Sequence, residues 1–151
     1  MIEPGTPAPE FTLRDQDDVE RSLSEFRGRK VVFAFYPGDW SSVCGDQLSL
    51  YQEVLGEIES RGAQLIGVSV DSTDSHAAFR EARGLRFPLL SDFLPRGAVA
   101  DAYGAFIPER GHSNRSLVLI DEQGTVQWSY ESHPLKVPGA NLIFDALADT
   151  A

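Results

Sequence analysis

The chain has 151 residues, and its 13 basic and 23 acidic side chains leave a formal net charge of −10. Such a field repels nucleic-acid phosphates and anionic membrane surfaces, so neither is expected as a partner. Apolar residues make up 42% of the chain, yet no apolar run approaches the ~20 residues that span a bilayer, and one globular domain over 1–151 is expected.

In chain order, residues 1–10 carry Pro4, Pro7 and Pro9, none with an amide donor, and read as an extended lead-in. Phe11-Thr12-Leu13 and Val19-Glu20-Arg21 flank Asp15-Gln16-Asp17-Asp18 as the arms of a small hairpin. The acidic turn reads as a solvated turn rather than a calcium loop. Counted from Asp15, the sixth and twelfth positions are Glu20 and Phe26, where Gly and Glu are needed. Ser24 to Gly28 reads as one helical turn with a glycine stop.

Lys30-Val31-Val32-Phe33-Ala34-Phe35-Tyr36 is a continuous apolar run, as expected of a strand buried on both faces. It stops at the turn Pro37-Gly38-Asp39. Leu48, Tyr51, Leu55 and Ile58 then recur at helical spacing, so a helix is predicted from near Cys44 to Gly62. Ala63 to Val70 reads as a second buried strand, which completes a βαβ unit with parallel pairing.

Asp71 to Ser75 is rich in cap residues and opens a helix with Ala78, Phe79 and Ala82, stopped by Gly84. Phe87 to Asp92 is a short strand, Gly97 to Tyr103 a short helix, and 105–114 a loop. Ser116 to Ile120 is a third apolar strand, turned at Asp121-Glu122-Gln123-Gly124 into Thr125 to Tyr130 as a hairpin. The last helix runs from Ala140 to Ala148. This order predicts an α/β sandwich with a mixed sheet.

The single cysteine, Cys44, excludes an internal disulfide. It falls between the first buried strand and the first turn of the next helix, where unpaired N–H groups and the macrodipole favour negative charge. A free thiol near pKa ~8.5 is mostly protonated at neutral pH, whereas helix N-termini and nearby cations can bring thiols down to roughly 3.5–7.5. Lone cysteines are often small buried hydrophobes, but this one stands past the end of a central strand, where open α/β sheets bind ligands.

Pro37-Gly38-Asp39-Trp40-Ser41-Ser42-Val43-Cys44 has the form P-x-x-x-[ST]-x-x-C, and Arg115 opens a later strand in S-N-R-S-L-V-L-I-D. This resembles the active-site signature of peroxiredoxins, thiol peroxidases on a modified thioredoxin fold. The resemblance includes P-A-P-E-F-T-L-R-D at 7–15 and F-P-L-L-S-D-F-L-P-R-G-A-V-A-D-A-Y-G at 87–104. The second stretch is most similar to the alkyl hydroperoxide reductase E-type, one-cysteine peroxiredoxins. Position 47 is Gln47, so the chain is no C-x-x-C thioredoxin.

The resemblance implies a thioredoxin-like α/β fold of peroxiredoxin type, with a mixed central sheet flanked by helices and an N-terminal β-hairpin. It implies a site of Cys44, Arg115, Ser41 and Pro37. Cys44 is the nucleophile, and Arg115 stabilises the thiolate and the leaving oxygen. Ser41 exchanges a proton with the peroxide, Pro37 covers the sulfur, and the N–H groups of Val43 and Cys44 add donors. Hydrogen peroxide or organic hydroperoxides are the implied substrates, reduced through a Cys44 sulfenic acid. Since the chain has no second cysteine, an external thiol is the expected reductant, either a small thiol or a redoxin-type protein. A homodimer or larger homo-oligomer is the family-level expectation.

No cofactor is expected, since no G-x-G-x-x-G or Walker A pattern occurs, and His76, His112 and His133 lack metal-ligand spacing. Gln47 stands where many members carry Glu, so a hydrogen bond to an arginine can survive but an ion pair cannot. Trp40 either lines a peroxide-access pocket or packs at the turn, and His112 is placed to approach Cys44. Phe93, Leu94 and Phe106 fall in loops, as a dimer interface or as core. Met1-Ile2-Glu3-Pro4-Gly5 has neither the basic nor the apolar part of a secretory signal, so the cytoplasm is the expected compartment, and the sequon Asn114-Arg115-Ser116 carries no sugar there. The alternative function is a redox-sensing or interaction protein with a reactive Cys44 and poor turnover.

Overall fold

The computed structural model describes residues 1–149; Thr150 and Ala151, the end of the expected domain, lie outside the described residues. A hairpin of β1 (Thr12–Arg14) and β2 (Glu20–Ser22) and a 3-10 turn over Leu23–Phe26 precede the central strand β3 (Lys30–Phe35). Helices α1 (Ser42–Glu53) and α2 (Leu55–Ser60) lead to β4 (Ala63–Ser69), α3 (Thr73–Arg83) and β5 (Leu89–Ser91). Then follow α4 (Ala98–Ala102), β6 (Phe106–Ile107), β7 (His112–Ser113), β8 (Arg115–Ile120), β9 (Val126–Ser132) and α5 (Ala140–Asp149).

Seven strands form one mixed sheet in the order β2-β1-β5-β4-β3-β8-β9. β3, β4 and β5 are parallel neighbours, and β8 lies antiparallel against β3. Their carboxyl ends therefore open on one side of the sheet, and the start of β8 arrives at that same side. Strand alternation divides the core in two. Val32, Ala34 and Tyr36 join Cys44, Leu48 and Tyr51 on the α1 face. Val31, Phe33 and Phe35 join Phe11, Tyr103 and Ala100 on the other. The Phe33 ring meets Phe11 and Tyr103 edge to face, at 5.5 and 5.8 Å. Each such fully buried side chain contributes roughly 1.5–3 kcal/mol against exposure.

The mixed α/β sheet and the N-terminal hairpin are as predicted, but three expectations need correction. The helix predicted to run unbroken to Gly62 is interrupted at Val54, whose φ of −110° and ψ of 12° leave the helical region. A β-branched residue close before Gly56 weakens the helix there, while Leu55 and Ile58 still reach the same core as Leu48. The segment 105–114 is no simple loop. Phe106 and Ile107 pair with Ser113 and His112 as a two-stranded ribbon, and Phe106 packs half-buried on the second core. Two-residue strands are too short to show alternation in the sequence. Finally, β9 extends to Ser132, which lies opposite Arg115.

Candidate active site

Two topological facts bring the predicted residues together. Register pairs Phe35, the last residue of β3, with Ser116, so Arg115 at the head of β8 sits beside the end of β3. Alternation along β8 then puts Arg115 on the same face as Leu117 and Leu119, which is the α1 face. On α1, Cys44, Gln47, Leu48 and Tyr51 are spaced to form one buried stripe. A strand head and a helix start thus meet from distant chain positions.

At their meeting point Arg115 Nη1 donates to Cys44 Sγ at 3.3 Å and to Gln47 Oε1 at 2.7 Å, while Nε donates to the Pro134 carbonyl at 3.0 Å. Gln47 Nε2 donates onward to Tyr51 Oη at 3.3 Å, and that hydroxyl donates to the Pro138 carbonyl at 2.8 Å. Burial pushes the Tyr51 phenol far above its ordinary range, so it stays a neutral donor. Cys44 is 0% exposed and Arg115 only 2%. Among the described residues no carboxylate pairs with Arg115. A buried guanidinium with neutral oxygens around it favours an anion beside it, and the Cys44 sulfur is the group within hydrogen-bond reach.

Ser41 is the N-cap of α1, and its Oγ accepts from the Cys44 N–H at 3.4 Å. The serine hydroxyl keeps its own proton free to donate. That bond engages one of the two backbone donors expected at the helix start. Pro37, Ser41 and Arg115 line a cavity of about 460 Å³ together with Ile107, Arg110, His112, His133 and Leu135. Among the described residues, no acidic side chain lines it. Of the four predicted site residues, Pro37, Ser41 and Arg115 line this cavity, while Cys44 is buried behind it and joined to it through Arg115 and Ser41.

Other candidates sort out differently. His112 lines the cavity, but its Nδ1 bonds to the Ser113 carbonyl and no contact to Cys44 forms. Trp40 is away from the cavity and packs at the turn, with Nε1 donating to Ser75 Oγ at 3.2 Å and its ring edge-on to Phe79 at 5.3 Å. Phe93 and Leu94 are exposed. The ribbon residues Ile107 and Arg110 escaped the sequence reading because a presumed loop carried no periodic signal. Asp39 and His76 escaped it too, since only the fold brings the start of α3 to the turn after β3.

The chain matches the family model described as AhpC/TSA family over residues 4–129. It is 36% identical to the protein named alkyl hydroperoxide reductase E from Mycobacterium tuberculosis, over 98% of this chain and 97% of that protein. It is also 36% identical to a chloroplastic peroxiredoxin Q of Oryza sativa subsp. japonica, over 87% of this chain and 60% of that protein. Among solved structures it is similar to the peroxidoxin BcpB of Mycobacterium tuberculosis, with a TM-score of 0.86, 28% identity, and coverage of 98% and 96%. The Enterococcus faecalis AhpC structure, at 22% identity, shares the fold with a TM-score of 0.92 over 99% and 93% of the two chains. With a cysteine and a buried arginine joined at the head of α1 and a match spanning most of its length, this chain belongs to the AhpC/TSA family of peroxiredoxins, the thiol-dependent peroxidases.

Proposed function

We propose that Cys44 is the peroxidatic nucleophile and that an external thiol returns it to the reduced state. The observation that supports this reading is the buried Arg115 guanidinium, held 3.3 Å from Cys44 Sγ and, among the described residues, paired with no carboxylate. The thiolate attacks one oxygen of the peroxide and the O–O bond breaks. Sulfur gains that oxygen as sulfenic acid, and the other oxygen leaves as an alkoxide or hydroxide. Arg115 faces the charge growing on the leaving oxygen, and the Ser41 hydroxyl relays a proton to it, giving up its own and regaining one from solvent. Pro37, with no N–H, walls the cavity without offering water a donor.

The chain holds no second cysteine, so a first external thiol displaces the sulfenic oxygen as water and forms a mixed disulfide. A second thiol then releases Cys44. Hydrogen peroxide or an organic hydroperoxide is the substrate class, and a small thiol or a redoxin-type protein the reductant. Exposed Phe93 and Leu94, at 47% and 80%, give a homodimer or larger homo-oligomer apolar surface to cover. The cytoplasm is the compartment this reading assigns; no helix among the described residues is long and apolar enough to cross a membrane.

The test is mass spectrometry after one equivalent of peroxide, with and without added thiol. The reading predicts a trappable sulfenic acid at Cys44 that external thiol reduces, and overoxidation to sulfinic acid when thiol is withheld. A Cys44 that forms sulfenic acid but never turns over with any thiol would favour the redox-sensing reading instead.

A further inference from the structure

Beside the reactive cysteine, the carboxyl ends of β3, β4 and β5 enclose a second polar cluster that touches neither Cys44 nor Arg115. Asp39 is at its centre. Tyr36 Oη donates to Asp39 Oδ1 at 2.8 Å, and Ser75 Oγ donates to Oδ2 at 2.9 Å. His76 Nδ1 lies 2.8 Å from that same Oδ2, and its Nε2 lies 3.0 Å from the Leu90 carbonyl oxygen. The Asp39 N–H donates to Asp71 Oδ2 at 2.7 Å, and Ser69 Oγ donates to the same atom at 2.6 Å. Both side chains of the Asp39–His76 pair are 0% exposed.

Hydrogen-bond accounting fixes the protons. A carbonyl oxygen only accepts, so Nε2 carries a hydrogen toward Leu90. Nδ1 and Oδ2 then need a second proton between them, on either atom, because two facing lone pairs at this distance in a dry site would repel. The groups facing His76 are Asp39 and Asp71 from the two turns, Tyr36 from the end of β3, and from β5 only a carbonyl. Asp39, Asp71 and His76 lie close enough to suggest a metal. Their facing oxygens are already engaged by hydroxyl, amide and imidazole donors, so the cluster is complete without one.

The cluster holds the segment that delivers Cys44. Tyr36 donates its N–H to Val68 and accepts from Ser113 Oγ at its carbonyl, so the strand end is fixed. Trp40 sits at φ +70°, a region a bulky L-residue adopts only under constraint. Its neighbours on each side are Asp39, tied to the cluster, and Ser41, the cap of α1.

We propose that His76 is a positioning residue for the peroxide step. Through the proton it shares with Asp39 it fixes the Pro37–Ser41 turn, and with that turn the placement of Cys44 against Arg115. This rests on the peroxidase reading of Cys44 given above.

The test compares two reactions of Cys44 in the full chain, with hydrogen peroxide and with iodoacetamide. Both need the thiolate, but only the peroxide reaction needs the exact placement of donors around it. His76→Phe is expected to lose on the order of 10²-fold in the peroxide rate, with the alkylation rate held or increased. His76→Asn, whose amide offers a donor where Nδ1 stood, is expected to recover most of that ratio. Equal losses in both reactions, or no loss in either, would overturn the proposal. If His76→Phe does not fold, His76→Asn and the unmodified protein still decide it. The unmodified protein should show a strongly downfield, slowly exchanging proton NMR signal coupled to the His76 ring near neutral pH, and absence of that signal overturns the shared proton. A wild-type Cys44 no faster with peroxide than free cysteine would defeat the peroxidase reading itself, a result the NMR signal does not depend on.

Discussion

Arg115 Nη1 serves two partners from different positions of one helix, Cys44 Sγ at 3.3 Å and Gln47 Oε1 at 2.7 Å. An amide oxygen orients the guanidinium without cancelling its charge, so the cation remains available to the sulfur. Gln47→Glu would put a full carboxylate at that distance and divide the charge between two anions. Alkylation of Cys44 at mildly acidic pH is expected to slow several-fold in this variant, and a rate equal to or above wild type would contradict the role given to Gln47.

The proposed role of Ser41 joins stability to chemistry. Its Oγ accepts the Cys44 N–H as the N-cap of α1. Ser41→Ala should cost roughly 0.5–2 kcal/mol in urea unfolding, the range for a lost cap. Ser41→Thr keeps the oxygen and should retain most of both stability and peroxide rate. Ala retaining the full peroxide rate would show that the hydroxyl takes no part.

Gly67 is in the middle of β4 because nothing larger fits. A Cβ there would stand 2.7 Å from Leu89 Cδ2 and 3.3 Å from the Tyr36 ring. Gly67→Ala is expected to destabilise by about 1–3 kcal/mol, the usual cost of overpacking a filled core. Since the Tyr36 ring must yield, the peroxide rate should fall as well. Equilibrium unfolding and stopped-flow on the same sample would check both.

Alkaline pH should unfold the protein through its buried phenols. Burial raises Tyr36, Tyr51 and Tyr103 above the ordinary value of 10.0, with Asp39 adding to the rise at Tyr36. The folded state holds these protons more tightly than the unfolded one. Their contribution is therefore complete below the ordinary value and is lost as pH climbs above it, by about 1.4 kcal/mol per pH unit for each phenol. Absorbance at the phenolate band should show these three silent until a cooperative transition releases them together with the loss of native circular dichroism. Gradual ionisation with the fold intact would contradict the burial argument.

Much of this was legible in the sequence where chemistry is local. The apolar run Lys30–Phe35, the turn at Pro37 and the helical stripe of α1 place Cys44 at a strand-to-helix junction from the residues alone. Arg115 was legible only as a motif residue. What brings it to the sulfur is the pairing of β8 with β3, a contact between distant segments. Val54 broke a helix whose core-facing residues kept their spacing, so periodicity could not register the break. The Asp39–His76 pair left no trace at all, because neither residue type is informative until strand order places α3 beside the turn.

The most direct measurement is stopped-flow mixing of pre-reduced protein with one equivalent of hydrogen peroxide, followed by tryptophan fluorescence, with Cys44→Ser and Arg115→Ala alongside. The account predicts a reaction orders of magnitude faster than that of free cysteine, absent in Cys44→Ser and reduced roughly 10²–10³-fold in Arg115→Ala, the scale for removing one charge-stabilising donor. A wild-type rate matching free cysteine, or an Arg115→Ala rate matching wild type, would contradict it.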